Sequence, residues 1–310
     1  MTKTPSNKRL ALRAIAAGTV ALCGALAASG ALAQSTIKIA NIVELSGGGA
    51  TAGTNFKNGV ELAVKEINAA GGILGKKIET TTADTQSNPG VAKGLTQKAV
   101  DNDVFAIFGP VFSGSIMVSM AEISTEAGQL DFSAAVLRAK QSNADAVFVY
   151  TYDEESARAL RELRKQGWSK PIVGEGTLTA QKVLELAGDA ANGAIAHVNL
   201  TVDAPLPAVQ AFRVKFEREY KYVSDHNGMK GYSGMYVLKT AIERVGKLDR
   251  QAVAAALHGM KITVAQQPGV LMDLAFDDKG DLDRDSFMVE VKNGKQVVIA
   301  TVPALGAAKK

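Results

Sequence analysis

The chain has almost no cysteine: one residue in 310, Cys23, inside an apolar run near the start. A disulfide framework and a thiolate metal site are therefore both excluded. Histidine is nearly as scarce. His197, His226 and His258 stand far apart, without metal-ligand spacing. No G-x-S-x-G elbow occurs, and Gly47-Gly48-Gly49 falls short of the G-x-G-x-x-G dinucleotide fingerprint. The acidic run at 277–285 suggests a calcium loop at a glance. However, Ser286 and Lys292 stand where that loop needs its glycine and its bidentate glutamate. The expectation is a chain that is not an enzyme and that carries no cofactor and no metal. Repeats, low-complexity linkers and a second apolar run of membrane length are also missing.

The first residues form a leader. Lys3, Lys8, Arg9 and Arg13 precede the apolar AIAAGTVALCGALAASGALA, which closes on Ala31-Leu32-Ala33. A basic start, a short apolar stretch and an A-x-A end predict a secretory signal cleaved after Ala33. Of 310 residues, 277 would then remain. The whole chain has 35 Lys+Arg against 31 Asp+Glu, but the leader takes four basic residues and no acid. The remainder is balanced, so the pI of 9.0 does not argue for a nucleic-acid partner. An exported protein without disulfides must rest on its core, and this length can bury one or two.

After the leader, strands and helices alternate. Thr36–Ser46 reads as a strand, followed by a helix capped at Thr54-Asn55 that runs to Ala70-Gly71-Gly72. Lys76–Thr82 and Val104–Phe108 are further strands, with a helix from Asn88-Pro89 between them. Gly109-Pro110 stops the third strand, and Ser113, Gly114 and Ser115 lead into apolar positions at helical spacing. Hydroxyls and free N–H groups at such a helix start either serve only as an N-cap or hold an anion, including a carboxylate. Alternation resumes with helices at 131–140, 154–166, 178–186, 206–220, 231–245 and 250–257, and strands at 146–151, 171–173 and 194–202. Asn293-Gly294 and Asp278-Lys279-Gly280 mark turns between strands in the tail. Successive βα units predict parallel sheets flanked by helices.

Several stretches carry a resemblance: IKIANIVELSG at 37–47, GVELAVKEINAAGGILGKKIE at 59–79, FGPVFSGS at 108–115, the run from DFSAAV through RELRKQGW at 131–168, PIVGEGTLT at 171–179 and AGDAANGAIA at 187–196. Together they are similar to the periplasmic substrate-binding proteins of branched-chain amino acid ABC transporters. The resemblance implies an α/β fold of the type I periplasmic-binding architecture, with two lobes closing on a ligand. The first lobe would hold residues 34–128 and about 228–283, the second 129–227 and about 284–310. It implies a periplasmic monomer that captures an aliphatic amino acid, most simply a branched-chain one, and delivers it to an inner-membrane ABC permease. By the same resemblance Ser113, with Ser115, takes the ligand carboxylate. Tyr152 supplies an aromatic contact, and Glu175, with Thr177 nearby, meets the ammonium.

One departure stands out. The chain passes from EISTEAG at 122–128 directly to QLDFSAAV at 129–136. Against the family pattern about two βα units, roughly 60–70 residues, are missing after Gly128. Sheet edges left exposed by the shortfall, an aggregation liability, are the structural expectation. A shortened relative with weakened or lost binding, serving as a sensor or partner-binding protein or no longer functional, is the alternative function.

Overall fold

In a computed structural model the described residues are 36–112 and 131–304. Parallel strands β1 (Ile37–Val43), β2 (Ile78–Asp84) and β3 (Ala106–Phe108) form one sheet in the order β2-β1-β3. A second sheet has the order β11-β10-β6-β5-β4. In it, β4 (Val147–Val149), β5 (Ile172–Glu175) and β6 (Ala194–Val198) run parallel, and the hairpin of β10 (Ser286–Lys292) and β11 (Lys295–Val302) is antiparallel to them. A small antiparallel sheet joins β7 (Lys261–Ile262), β8 (Leu274–Phe276) and β9 (Leu282–Asp283).

Helices α1 (Ala50–Ala69), α2 (Pro89–Asp101), α3 (Ser133–Gln141), α4 (Asp153–Lys165), α5 (Gln181–Ala187), α6 (Pro207–Tyr220), α7 (His226–Val245) and α8 (Arg250–Leu257) fill the connections. β1 is buried on both faces, which accounts for its nearly unbroken apolar run. Ile37 and Ile39 enter the larger core beside Val60, Ile67 and Phe212, while Ala40 and Ile42 pack with Ala99 of α2 on the other face. A separate core under the second sheet gathers Val149, Leu160, Leu163, Trp168 and Ile172. The α/β architecture with parallel sheets flanked by helices is thus present.

Two starts differ from the sequence expectation. α1 begins at Ala50, four residues ahead of the Thr54-Asn55 cap, because Gly47–Gly49 winds into a 3-10 turn that feeds it. That turn is tied down by the end of β2. The Asp84 carboxylate accepts from the Leu45 N–H at 2.8 Å and the Ser46 hydroxyl at 2.6 Å, and Ser87 Oγ accepts from the Gly49 N–H at 2.9 Å. α7 starts at His226, five residues before Gly231, with Asp225 accepting from the N–H groups of Asn227 and Gly228 as its cap.

α1 and α7 pack backbone to backbone. A Cβ on Gly59 would sit 1.9 Å from the Gly228 carbonyl oxygen, and one on Gly231 would sit 2.3 Å from that of Phe56. Glu66 of α1 locks the pair, accepting from the hydroxyls of Tyr232 at 2.6 Å and Tyr236 at 2.8 Å while pairing with Lys215 of α6 at 2.9 Å. Burial pushes the Glu66 pKa up, but the bonds from Tyr232, Lys215 and Tyr236 together hold it below the usual glutamate value.

Candidate ligand-binding site

The carboxyl ends of strands from both large sheets converge, which in open α/β sheets is where ligands bind. At the end of β1 the fully buried Glu44 carboxylate accepts from the N–H groups of Val111 at 3.0 Å and Phe112 at 3.3 Å. This fixes the loop that leaves β3 through Gly109, whose φ of +90° suits glycine and where an added Cβ would sit 2.0 Å from the Ile42 oxygen. Phe112 stacks on Tyr152 with centroids 4.9 Å apart, joining the loop after β3 to the start of α4 beyond β4. Tyr152 remains 38% exposed, so its free face is open to a ligand.

Glu175 ends β5, beside β4. Its Oε1 accepts from the Thr177 N–H at 2.8 Å, which orients the carboxylate through the 3-10 turn Gly176–Thr179. Tyr152, Glu175 and Thr177 therefore lie together at adjacent strand ends. Ser113 and Ser115 lie outside the described residues, as does Gly128.

Sequence reasoning missed the groups that surround Glu175. Asp153, first residue of α4, has its pKa pushed up to about 7 by burial and by the negative charges of Asp225, Glu175 and Glu155. Asp225 is raised to about 6 by burial, against the N–H bonds it accepts at the start of α7. The imidazole of His226 comes within 4.0 Å of where a Gly176 Cβ would be, and burial lowers its pKa to about 3, so it is neutral at ordinary pH. Lys230, one turn along α7, is lowered by burial and by Arg284, against the pull of Asp225 and Glu175. The only signal for this group in the sequence was Asp225 as a cap residue; its proximity to Asp153 comes from the tertiary fold.

The cluster thus holds three carboxylates, Asp153, Glu175 and Asp225, of which Asp225 and Glu175 push the Asp153 pKa up, while Lys182 and Lys230 act against the negative charge. Such a place favours an incoming ammonium. Behind Asp225 and His226 lies a cavity of about 190 Å³. Its polar walls are already paired: Arg213 with Asp203 at 2.6 Å, and Gln296 with Thr201 and Thr179. His197 bonds Ser286 and His258 bonds the Asp278 carbonyl oxygen, both structural contacts. Asp277 accepts from the N–H groups of Lys279 and Asp281, making the acidic run a capped turn. Among the described residues no group of three or more His, Cys, Asp or Glu is placed to hold a metal, and no helix is long and apolar enough to cross a membrane.

The family profile described as "Periplasmic binding protein" matches residues 36–122 and 117–296. The chain belongs to the periplasmic binding protein family. It is 23% identical over 355 positions to the Leu/Ile/Val-binding protein BraC3 of Rhizobium johnstonii, covering 87% of this chain and 95% of that one. The branched-chain amino acid transporter substrate-binding protein LivJ of Streptococcus pneumoniae, in complex with isoleucine, matches with a TM-score of 0.75 at 21% identity, over 87% of this chain and 99% of that one. A solute-binding protein of an ABC transporter from Rhodopseudomonas palustris, in complex with p-hydroxybenzoic acid, matches with a TM-score of 0.76 at 18% identity, over 89% and 100%. This periplasmic binding protein is shorter than its relatives. The Rhizobium alignment spans 355 positions but uses 87% of 310 residues, about 270, leaving roughly 85 positions with no counterpart. The two profile segments meet at 117–122, between β3 and α3 and just ahead of the junction expected after Gly128.

Proposed function

We propose that this chain is an extracytoplasmic solute-binding protein that captures an amino acid with an aliphatic side chain, most simply a branched-chain one, and passes it to an ABC permease. The leader ending at Ala33 would send it to the periplasm. The observation that carries the reading is the grouping of the Asp153, Glu175 and Asp225 carboxylates beside the half-exposed ring of Tyr152. A zwitterionic ligand would place its ammonium among Asp153, Glu175 and Asp225 and its apolar body against the Tyr152–Phe112 stack. Its carboxylate would turn towards Ser113 and Ser115. A ligand with a carboxylate and no ammonium, such as a benzoate, would meet the same carboxylates as repulsion.

The shortened chain favours a second reading, a relative in which binding is weakened or lost. Calorimetry on the folded protein with aliphatic amino acids and benzoates separates them. Heat with an aliphatic amino acid, abolished by Glu175→Gln, supports transport. No heat with any ligand, alongside a cooperative melt, supports the second reading; heat with benzoates alone overturns the ammonium site.

A further inference from the structure

Among the described residues β4 is the last strand of its sheet, bonded to β5 on one side only. The Val147 N–H donates to the Pro171 oxygen at 3.0 Å. Peptide groups alternate along a parallel strand, so those of Ala146, Phe148 and Tyr150 turn outward to the open edge. The segment from Ala146 to Tyr152, AVFVYTY, holds no charge or proline to keep the edge from pairing, and its regular strand is the short Val147–Val149. Phe148 is 64% exposed and Tyr150 70% exposed, and their rings stack with centroids 6.4 Å apart at 21°. Val149, on the other face, is buried in the core under the sheet. The other end strand of the sheet, β11, begins with Lys295 and pairs β10 through an irregular register near Met288/Val289, which spoils it as a template. Relatives carry roughly 85 positions that this chain lacks, and the break in the family match falls just before β4's unit.

We propose that β4 pairs with β4 of a second copy of this chain, antiparallel across a two-fold axis. The match is self-complementary: an uncharged strand meets itself, as an isologous interface requires. With the axis at Phe148, the two Phe148 residues form a hydrogen-bonded pair and each Ala146 faces the other copy's Tyr150, giving about six backbone bonds. Phe148 and Tyr150 of both copies then cover one another in a four-ring cluster. The two five-stranded sheets become one continuous sheet, and each copy supplies the neighbour that the other lacks. The expected solution state is therefore a dimer in place of the monomer that the family resemblance implies.

The test is sedimentation of the secreted chain over a concentration series. A dimer that dissociates on dilution is expected, and Phe148→Lys should shift it to monomer with an unchanged circular dichroism spectrum and a cooperative melt that no longer depends on concentration. In a Cys23→Ser background, Phe148→Cys should form a disulfide between two copies, because hydrogen-bonded antiparallel pairs hold their Cα atoms about 5.5 Å apart. Ile299→Cys, on β11, should not. A wild-type monomer at every concentration, a dimer that survives Phe148→Lys, crosslinking through position 299 instead of 148, or assemblies that keep growing beyond two copies would each overturn the proposal.

Discussion

Asp153 makes the stability of the ligand-free protein depend on pH. An ordinary aspartate titrates near 3.8, and burial with the charges of Asp225, Glu175 and Glu155 raises Asp153 to about 7. Between those values the folded chain keeps a proton that the unfolded chain has lost. Stability therefore falls as pH rises through this window and levels off above it. Three pH units at about 1.4 kcal/mol each set a ceiling of about 4 kcal/mol. Residual solvent access and the repulsion shared with Asp225 and Glu175 bring the expected cost of ionisation to about 2 kcal/mol. Asp153→Asn removes that cost and keeps the shape. Urea unfolding without ligand should then find the variant about 2 kcal/mol more stable than wild type at pH 8, with the gap closing at pH 5. An equal difference at both pH values, or a variant weaker at pH 8, would refute the electrostatic account. The same linkage governs binding: an ammonium placed among these carboxylates lets Asp153 ionise, so amino-acid affinity should rise with pH across the same window.

Gly59→Ala should lower stability by about 3 kcal/mol or more, measured by thermal melting, because its Cβ meets the Gly228 carbonyl oxygen at 1.9 Å and neither backbone has room to yield. An unchanged melt would mean that the α1–α7 contact is looser than described. Glu66→Ala should cost about 2 kcal/mol, the worth of bonds from Tyr232, Tyr236 and Lys215 to one charged group. Because the Glu66 pKa is held down, the wild type should lose this contribution as pH drops below 4.5, narrowing its lead over Glu66→Ala in acid denaturation.

Much of the fold was legible where local chemistry and tertiary packing agree. Asn88-Pro89 caps α2 as expected, and Asn293-Gly294 turns the β10–β11 hairpin. Both signals are local. The start of α7 was not legible, because Asn227-Gly228 reads as a turn by itself. In the fold, Gly228 lies under Gly59, and the absence of side chains there is what allows the helices to meet. The early start of α1 was hidden for a related reason: its 3-10 turn depends on Asp84 and Ser87, nearly forty residues away. At the site, Tyr152, Glu175 and Thr177 were singled out by the family resemblance, and the fold places them after β4 and at and beyond the end of β5. Asp153, Asp225, His226 and Lys230 were not, since their meeting requires α7 to cross beside β5. An exposed sheet edge was an expectation from the short passage after Gly128, and among the described residues β4 pairs with β5 alone.

The glycine contact between α1 and α7 also has a mechanical meaning. Side chains that interdigitate can change rotamer and slide, but carbonyls pressed against glycine Cα atoms have no such slack. With Glu66 clamping the same pair, α1 and α7 act as one stiff beam. That beam begins at Asp225 and His226, so this wall of the site is an anvil. If the proposed ligand binds here, any change of shape would fall to the β4–β5 side, where Tyr152 and Glu175 ride on short strands and turns.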